Sequence, residues 1–217
     1  MIFFIFIIGT CFGSFIECMT QRKVMHESVY GRSHCDHCGH TLHTLDLIPI
    51  ISYLFLKGRC RYCHHPLKIS LLLNEITVGF LFVLLYIRVG FDLRSYILLV
   101  AFLYASKVDI LIYEIPDISI LIGLSTLRLC YLKETIYFSI VLIVFVYSFY
   151  KLFHKEGLGG GDIKLLIVIS LSSGLFNTLL SLSLSCLFGL AYCLFKRKEM
   201  IPFGPFITLG WFLMTII

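Results

Sequence analysis

Apolar residues run along this chain in blocks of about 15 to 20, close to the length a helix needs to cross roughly 30 Å of hydrocarbon and unlike the short alternating strings of half-buried strands. The blocks predict membrane-spanning helices near 1–19, 71–87, 95–113, 118–131, 136–153, 162–176, 178–195 and 203–217. Between about 20 and 70 polar and charged residues take over. The expected architecture is an all-α, polytopic transmembrane bundle of about eight spans. It divides into a first helix (1–19), a loop domain (20–70) and a multi-span domain (71–217).

Composition agrees, with 59% hydrophobic and 14% charged residues against about a quarter charged in an ordinary soluble domain. Charge gives the chain a direction. No Lys or Arg precedes the first apolar block, Arg22 and Lys23 follow it, and no small-residue cleavage site stands out, so the amino terminus is expected outside and uncleaved. Threading eight spans from there puts 14 of the 18 basic residues on the cytoplasmic side and leaves Arg88, Arg94, Arg128 and Lys133 outside. The net charge of +5 thus follows from topology. Without a soluble basic domain or a recognition motif, no nucleic-acid partner is expected.

The loop holds Cys35-Asp36-His37-Cys38 and Cys60-Arg61-Tyr62-Cys63, two CxxC pairs separated by 21 residues. Such pairs supply the four thiolates of a closed, structural Zn2+ site with no position left for reactive water. The rival reading, a redox or disulfide role, suits a reducing cytoplasm poorly. One of the loop histidines (His34, His40, His43, His64 or His65) is a further candidate ligand in place of a thiolate. Cys11, Cys18, Cys130, Cys186 and Cys193 fall in apolar blocks and read as small core residues.

Acidic residues at membrane depth are functional candidates, because burying them there is costly. Asp109 ends an apolar run seven residues before Pro116, and Asp162 follows Gly159-Gly160-Gly161 and opens another. Both map to cytoplasmic helix ends. Two carboxylates that meet share one proton near neutral pH, leaving one acid and one base to activate water and polarise a carbonyl. The glycines allow close approach of an extended peptide. The plainer readings are a helix cap for Asp162 and pairing with Lys107 for Asp109.

In their order these motifs resemble the type IV prepilin peptidases, aspartic membrane proteases with a GxGD motif. The resemblance runs through Gly13-Ser14-Phe15, the two CxxC pairs, Ile48-Pro49-Ile50-Ile51-Ser52, Lys57 to Cys63, and Ile69-Ser70 with Glu75. It continues with Asp109 to Asp117, Gly159 to Lys164, and Pro202-Phe203-Gly204-Pro205-Phe206. It implies Asp109 and Asp162 as the catalytic pair, with Gly159, Gly160, Gly161 and Lys164 forming the active-site loop. It also implies a bacterial cytoplasmic membrane location and cleavage on the cytoplasmic side, after a glycine preceding the hydrophobic segment of a prepilin or pseudopilin. Many family members also methylate the new amino terminus with S-adenosylmethionine, which would involve the region of Gly13, Ser14, Glu17 and Glu75. The chain departs from the usual opening motif at Ile16-Glu17-Cys18 and Arg22-Lys23-Val24, and Glu17 and Glu75 could equally pair with basic residues. The competing reading is a transporter or metal-handling protein whose intramembrane acids conduct ions.

Overall fold

The computed structural model describes residues 1–153, 159–196 and 201–217 and is helical throughout, without a strand among them. Lys155, Arg197 and Lys198, counted above on the inner side, lie outside the described residues. The chain divides into two units, Met1–Phe91 and Asp92–Ile217.

In the first unit, α1 (Ile2–Val24) and α3 (Ile69–Val89) lie side by side, with the loop and its short helix α2 (Ile51–Phe55) between them in sequence. Gly9 meets Gly79 and Phe82, whereas Gly13 meets Asn74 and Glu75, so the two helices run antiparallel. Their backbones approach so closely that a methyl group on Gly9 would stand 2.8 Å from the Gly79 Cα. Small residues bring helices together where lipid offers no hydrophobic drive for association. Asn74 Nδ2 donates to the Gly13 carbonyl at 2.7 Å, and the Phe6–Phe80 and Phe12–Phe82 ring pairs flank the seam.

The second unit contains α4 (Leu93–Ile112), α5 (Asp117–Leu124), α6 (Leu132–Phe153), α7 (Gly160–Ser173), α8 (Leu175–Lys196) and α9 (Gly204–Ile216). α7 is apolar with little sidedness, and Leu165, Leu166, Val168 and Ile169 are all buried, as expected of a helix enclosed by neighbours. Hydroxyl groups join the helices: Ser106 to Thr208 at 2.6 Å between α4 and α9, and Thr135 to Ser170 at 2.9 Å between α6 and α7. Trp211 meets Phe102 edge-on at 5.0 Å.

Among the described residues, five segments are long and apolar enough to cross a membrane: Ile2–Val24, Ile69–Val89, Leu93–Ile112, Leu129–Ser148 and Leu175–Lys196. The expected eight spans are therefore not met by length. The 118–131 block forms only the eight-residue α5 and a turn at Leu129–Tyr131. Thr126 Oγ1 donates to the Gly123 carbonyl and the Arg128 N–H to Leu171 of α7, so the chain leaves the helix there. α7 and α9 have 14 and 13 residues, about 20 Å each at 1.5 Å per residue. The cysteines expected in the core are mostly at the periphery: Cys11, Cys130 and Cys186 are exposed, and Cys18 and Cys193 half-buried. Their apolar neighbours face outward with them, as lipid-facing helix surfaces do.

Candidate active site and metal centre

Asp109 occupies the last turn of α4 and is 6% exposed. Tyr113 then turns the chain through the left-handed region, at φ 57°, and Ile115-Pro116 leads it into α5. That segment is tied to the start of α7 at two points. Lys164 Nζ pairs with Asp117 Oδ1 at 2.6 Å, and Gly161 lies against Ile115, where a methyl group would come within 2.8 Å of the Ile115 Cβ. The consequence is that the Asp109 carboxylate lies close enough for its charge to act on Asp162. The two acids thus come together inside one unit, at the end of one helix and the start of another.

Each carboxylate is held by a glycine N–H. The Gly204 N–H donates to Asp109 Oδ2 at 2.9 Å, a buried bond from the first turn of α9. Asp162 lies three residues after Gly159, the N-cap of α7, and takes the Gly159 N–H. Gly159, and not Asp162 as the capping reading from sequence had it, is thus the N-cap, and Asp162 sits within the first turn of α7. Lys164 points to Asp117 and is exposed. The Gly204 contact was missed in the sequence, where Pro202–Phe206 enters only as part of the family resemblance. Its signal was Pro205: at the start of a helix the first N–H groups lack partners, proline has none to satisfy, and Gly204 is left as the donor.

In the first unit, Cys35, Cys38, Cys60 and Cys63 bring their sulfurs within 4.8 Å of one another. Cys35 and Cys63 Sγ are 3.9 Å apart. A tetrahedral ion at the usual Zn–S bond length of about 2.3 Å sets a sulfur–sulfur edge of roughly 3.8 Å, so the cluster fits a four-thiolate metal. Burial opposes ionisation of Cys60, but the N–H groups of Cys63 and Tyr62 and the adjacent thiols outweigh it and bring its pKa to about 7. The His65 N–H favours a Cys63 thiolate, yet burial and the crowding of Cys60, Cys38 and Cys35 push its pKa to about 12. Several thiolates can coexist here only with a cation between them.

The four-cysteine loop and the two helices flank an open cavity of about 200 Å³, lined by Ser14, Glu17, Arg22, Asp46 and Glu75 among others. Glu75 accepts the Ile50 N–H at 2.7 Å, Gln21 Nε2 donates to Glu17 at 3.5 Å, and Gly13 lies at the helix seam. Arg22 spends its guanidinium on the Val29 and Gly31 carbonyls, and Arg61 pairs with Asp46, leaving an acidic lining. The positions singled out near the start of the chain therefore gather in the first unit, and the aspartates in the second.

A helical membrane protein with two neighbouring carboxylates, one buried and one half-buried, and a separate four-cysteine loop is the class defined by these features. Comparison with known proteins specifies it further. Residues 7–89 match the bacterial peptidase A24 N-terminal domain and residues 96–194 the type IV leader peptidase family. The chain is 30% identical to the prepilin leader peptidase/N-methyltransferase of Bacillus subtilis (strain 168), over 97% of this chain and 92% of that protein. The proteins of the same description from Klebsiella pneumoniae and Myxococcus xanthus (strain DK1622) are 32% and 29% identical, over 76% and 73% of this chain and 82% and 52% of theirs. The chain belongs to the type IV leader peptidase family. No solved structure matches it. None of these matches supports a transporter or metal-handling protein.

Proposed function

We propose that the chain is a membrane aspartic endopeptidase of the bacterial cytoplasmic membrane that removes the leader from prepilins or pseudopilins, with Asp109 and Asp162 as its catalytic pair. The observation that carries this reading is that the two acids stand at helix ends near enough for the charge of one to act on the other. The ionised member takes a proton from water as its oxygen attacks the scissile carbonyl carbon, and the protonated member gives its proton to the carbonyl oxygen. Collapse of the tetrahedral intermediate breaks the C–N bond and passes a proton to the leaving amine. Gly160, with open space beside its Cα, leaves room for an extended peptide to approach the pair.

The four cysteines hold structural Zn2+, which organises the loop. Methylation of the new amino terminus is assigned to the acidic cavity of the first unit. S-adenosylmethionine would supply the methyl group there, and the Glu17 and Glu75 carboxylates suit both its cationic sulfonium and the substrate amine.

The test is processing of a co-expressed precursor by wild type, Asp109→Asn and Asp162→Asn. Each variant should keep membrane abundance and lose about a thousandfold or more in cleavage rate, in the range of general acid–base contributions. Undiminished processing by either would end the assignment. Mass spectrometry of the product terminus, read for the methyl mass, tests the second activity.

A further inference from the structure

We propose that α2 is an interfacial anchor that seats the metal-binding loop in an anionic lipid surface, with Ile51, Leu54 and Phe55 among the acyl chains and Lys57 and Arg59 at the headgroup phosphates. The argument starts with the sidedness of the helix. Ser52, Tyr53 and Leu56 line the acidic cavity, whereas Ile51, Leu54 and Phe55 point away from the protein and are 51%, 61% and 83% exposed. Positions i, i+3 and i+4 share one helix face. The outward face of this loop helix is thus its apolar one, opposite to what water would select.

Depth follows from the Ile50–Glu75 hydrogen bond. α3 has 21 residues, about 31 Å at 1.5 Å per residue, just enough to cross the hydrocarbon core. Ile69 therefore stands at the lipid boundary, and Glu75 lies about 9 Å further along the axis. The Ile50 N–H, immediately before α2, reaches the Glu75 carboxylate at 2.7 Å. α2 consequently lies beside the first turns of α3, at the 5–10 Å depth where amphipathic helices rest in the interface. Ile69 and Leu73 of α3 are exposed as well, which continues the apolar surface along the span.

Charge selects the lipid. Beside Phe55 is a hollow of about 470 Å³ lined by Lys57, Arg59, Arg61 and His64. Asp46 engages Arg61 at 2.7 Å, while Lys57 and Arg59 are exposed and have no acidic partner among the described residues. Basic side chains bordering a buried apolar face suit phosphate headgroups.

The test places tryptophan at position 55 (Phe55→Trp) in the full chain, reconstituted in vesicles of phosphatidylcholine with or without phosphatidylglycerol. The only other tryptophan, Trp211, is 1% exposed and gives a wild-type signal to subtract. Acyl-brominated lipid should quench the new signal several-fold more than aqueous acrylamide, and phosphatidylglycerol should strengthen this. Adding Lys57→Gln and Arg59→Gln should abolish the phosphatidylglycerol increment. Leu54→Trp gives the same reading if Phe55→Trp does not accumulate. Stronger quenching by acrylamide overturns the proposal, as does lipid quenching relieved by a precursor's apolar segment, which would make the face a substrate site. An unchanged increment in the charge-free variant overturns the headgroup assignment.

Discussion

At the scale of single residues, the candidate site depends on glycines for contact more than for conformation. Gly204 does not lie in the left-handed region, so alanine suits its backbone; yet a methyl group there would stand 2.9 Å from Asp109 Oδ2. Gly204→Ala should therefore lower kcat for precursor cleavage about a hundredfold by displacing one carboxylate, with little change in abundance, since a shift of about 1 Å in a catalytic group costs that much. Gly161→Ala meets Ile115 and should destabilise the fold by about 1–3 kcal/mol as an overpacked contact. Its effect is read as lower membrane abundance. Gly160→Ala meets nothing and should accumulate normally. If it raises KM for the precursor, the open space beside it is used by substrate. Asp109→Asn keeps an oxygen for the Gly204 N–H, whereas Asp109→Ala leaves that buried donor unpaired at a cost of about 1–3 kcal/mol. Comparing the two separates the chemistry from the cap.

At the scale of elements, the four-cysteine loop is a repeated turn offset by 25 positions, from Cys35 to Cys60. The Cys35 N–H donates to the His40 carbonyl and the Cys60 N–H to His65, at 3.0 and 2.9 Å. Gly39 and His64 each return a bond to the first cysteine, and both have positive φ, 69° and 55°. The copies differ where histidine occupies a left-handed position filled by glycine in the other. His64→Gly should retain the metal and gain about 1 kcal/mol, relieving the left-handed penalty, visible as a higher thermal midpoint. Cys35→Ser should lose most of its zinc by elemental analysis and fall in abundance. This part of the molecule was legible because a metal needs fixed ligand types at fixed spacing. The long apolar runs were legible for a similar reason, since a bilayer imposes length. The short helices were not: α5 stops where Thr126 and Arg128 bond elsewhere, and α7 is shortened by caps at Gly159 and Gly174. Those are tertiary decisions that hydrophobicity does not record. The aspartates could be paired in sequence only through motif order; that Gly204 braces one of them depends on α9 folding back against α4.

At the scale of the whole molecule, charge and chemistry make one joint claim about sides. In the second unit, Lys107, Lys151, Lys164 and Lys196 lie toward the helix ends that carry Asp109 and Asp162, and Arg94, Arg128 and Lys133 toward the opposite ends. In the first unit, Arg22, Lys23, Arg32, Lys57, Arg59, Arg61 and Lys68 all attend the four-cysteine loop, against Arg88 at the other end of α3. The proposed function has the loop and the aspartate end of the second unit in the cytoplasm, and the positive-inside rule supports this by two separate counts. Alkaline phosphatase inserted after Ser28 should be inactive, and after Phe91 or Arg128 active; green fluorescent protein at the same points should give the reverse. An active phosphatase at Ser28 would put the thiolate cluster in an oxidising compartment, where disulfides compete with metal. A silent one at Arg128 would put the aspartates on the outer face, and a precursor cut before its export could not reach them. The reporters therefore test the site as well as the topology, since the proposed chemistry has a substrate on only one side of the membrane.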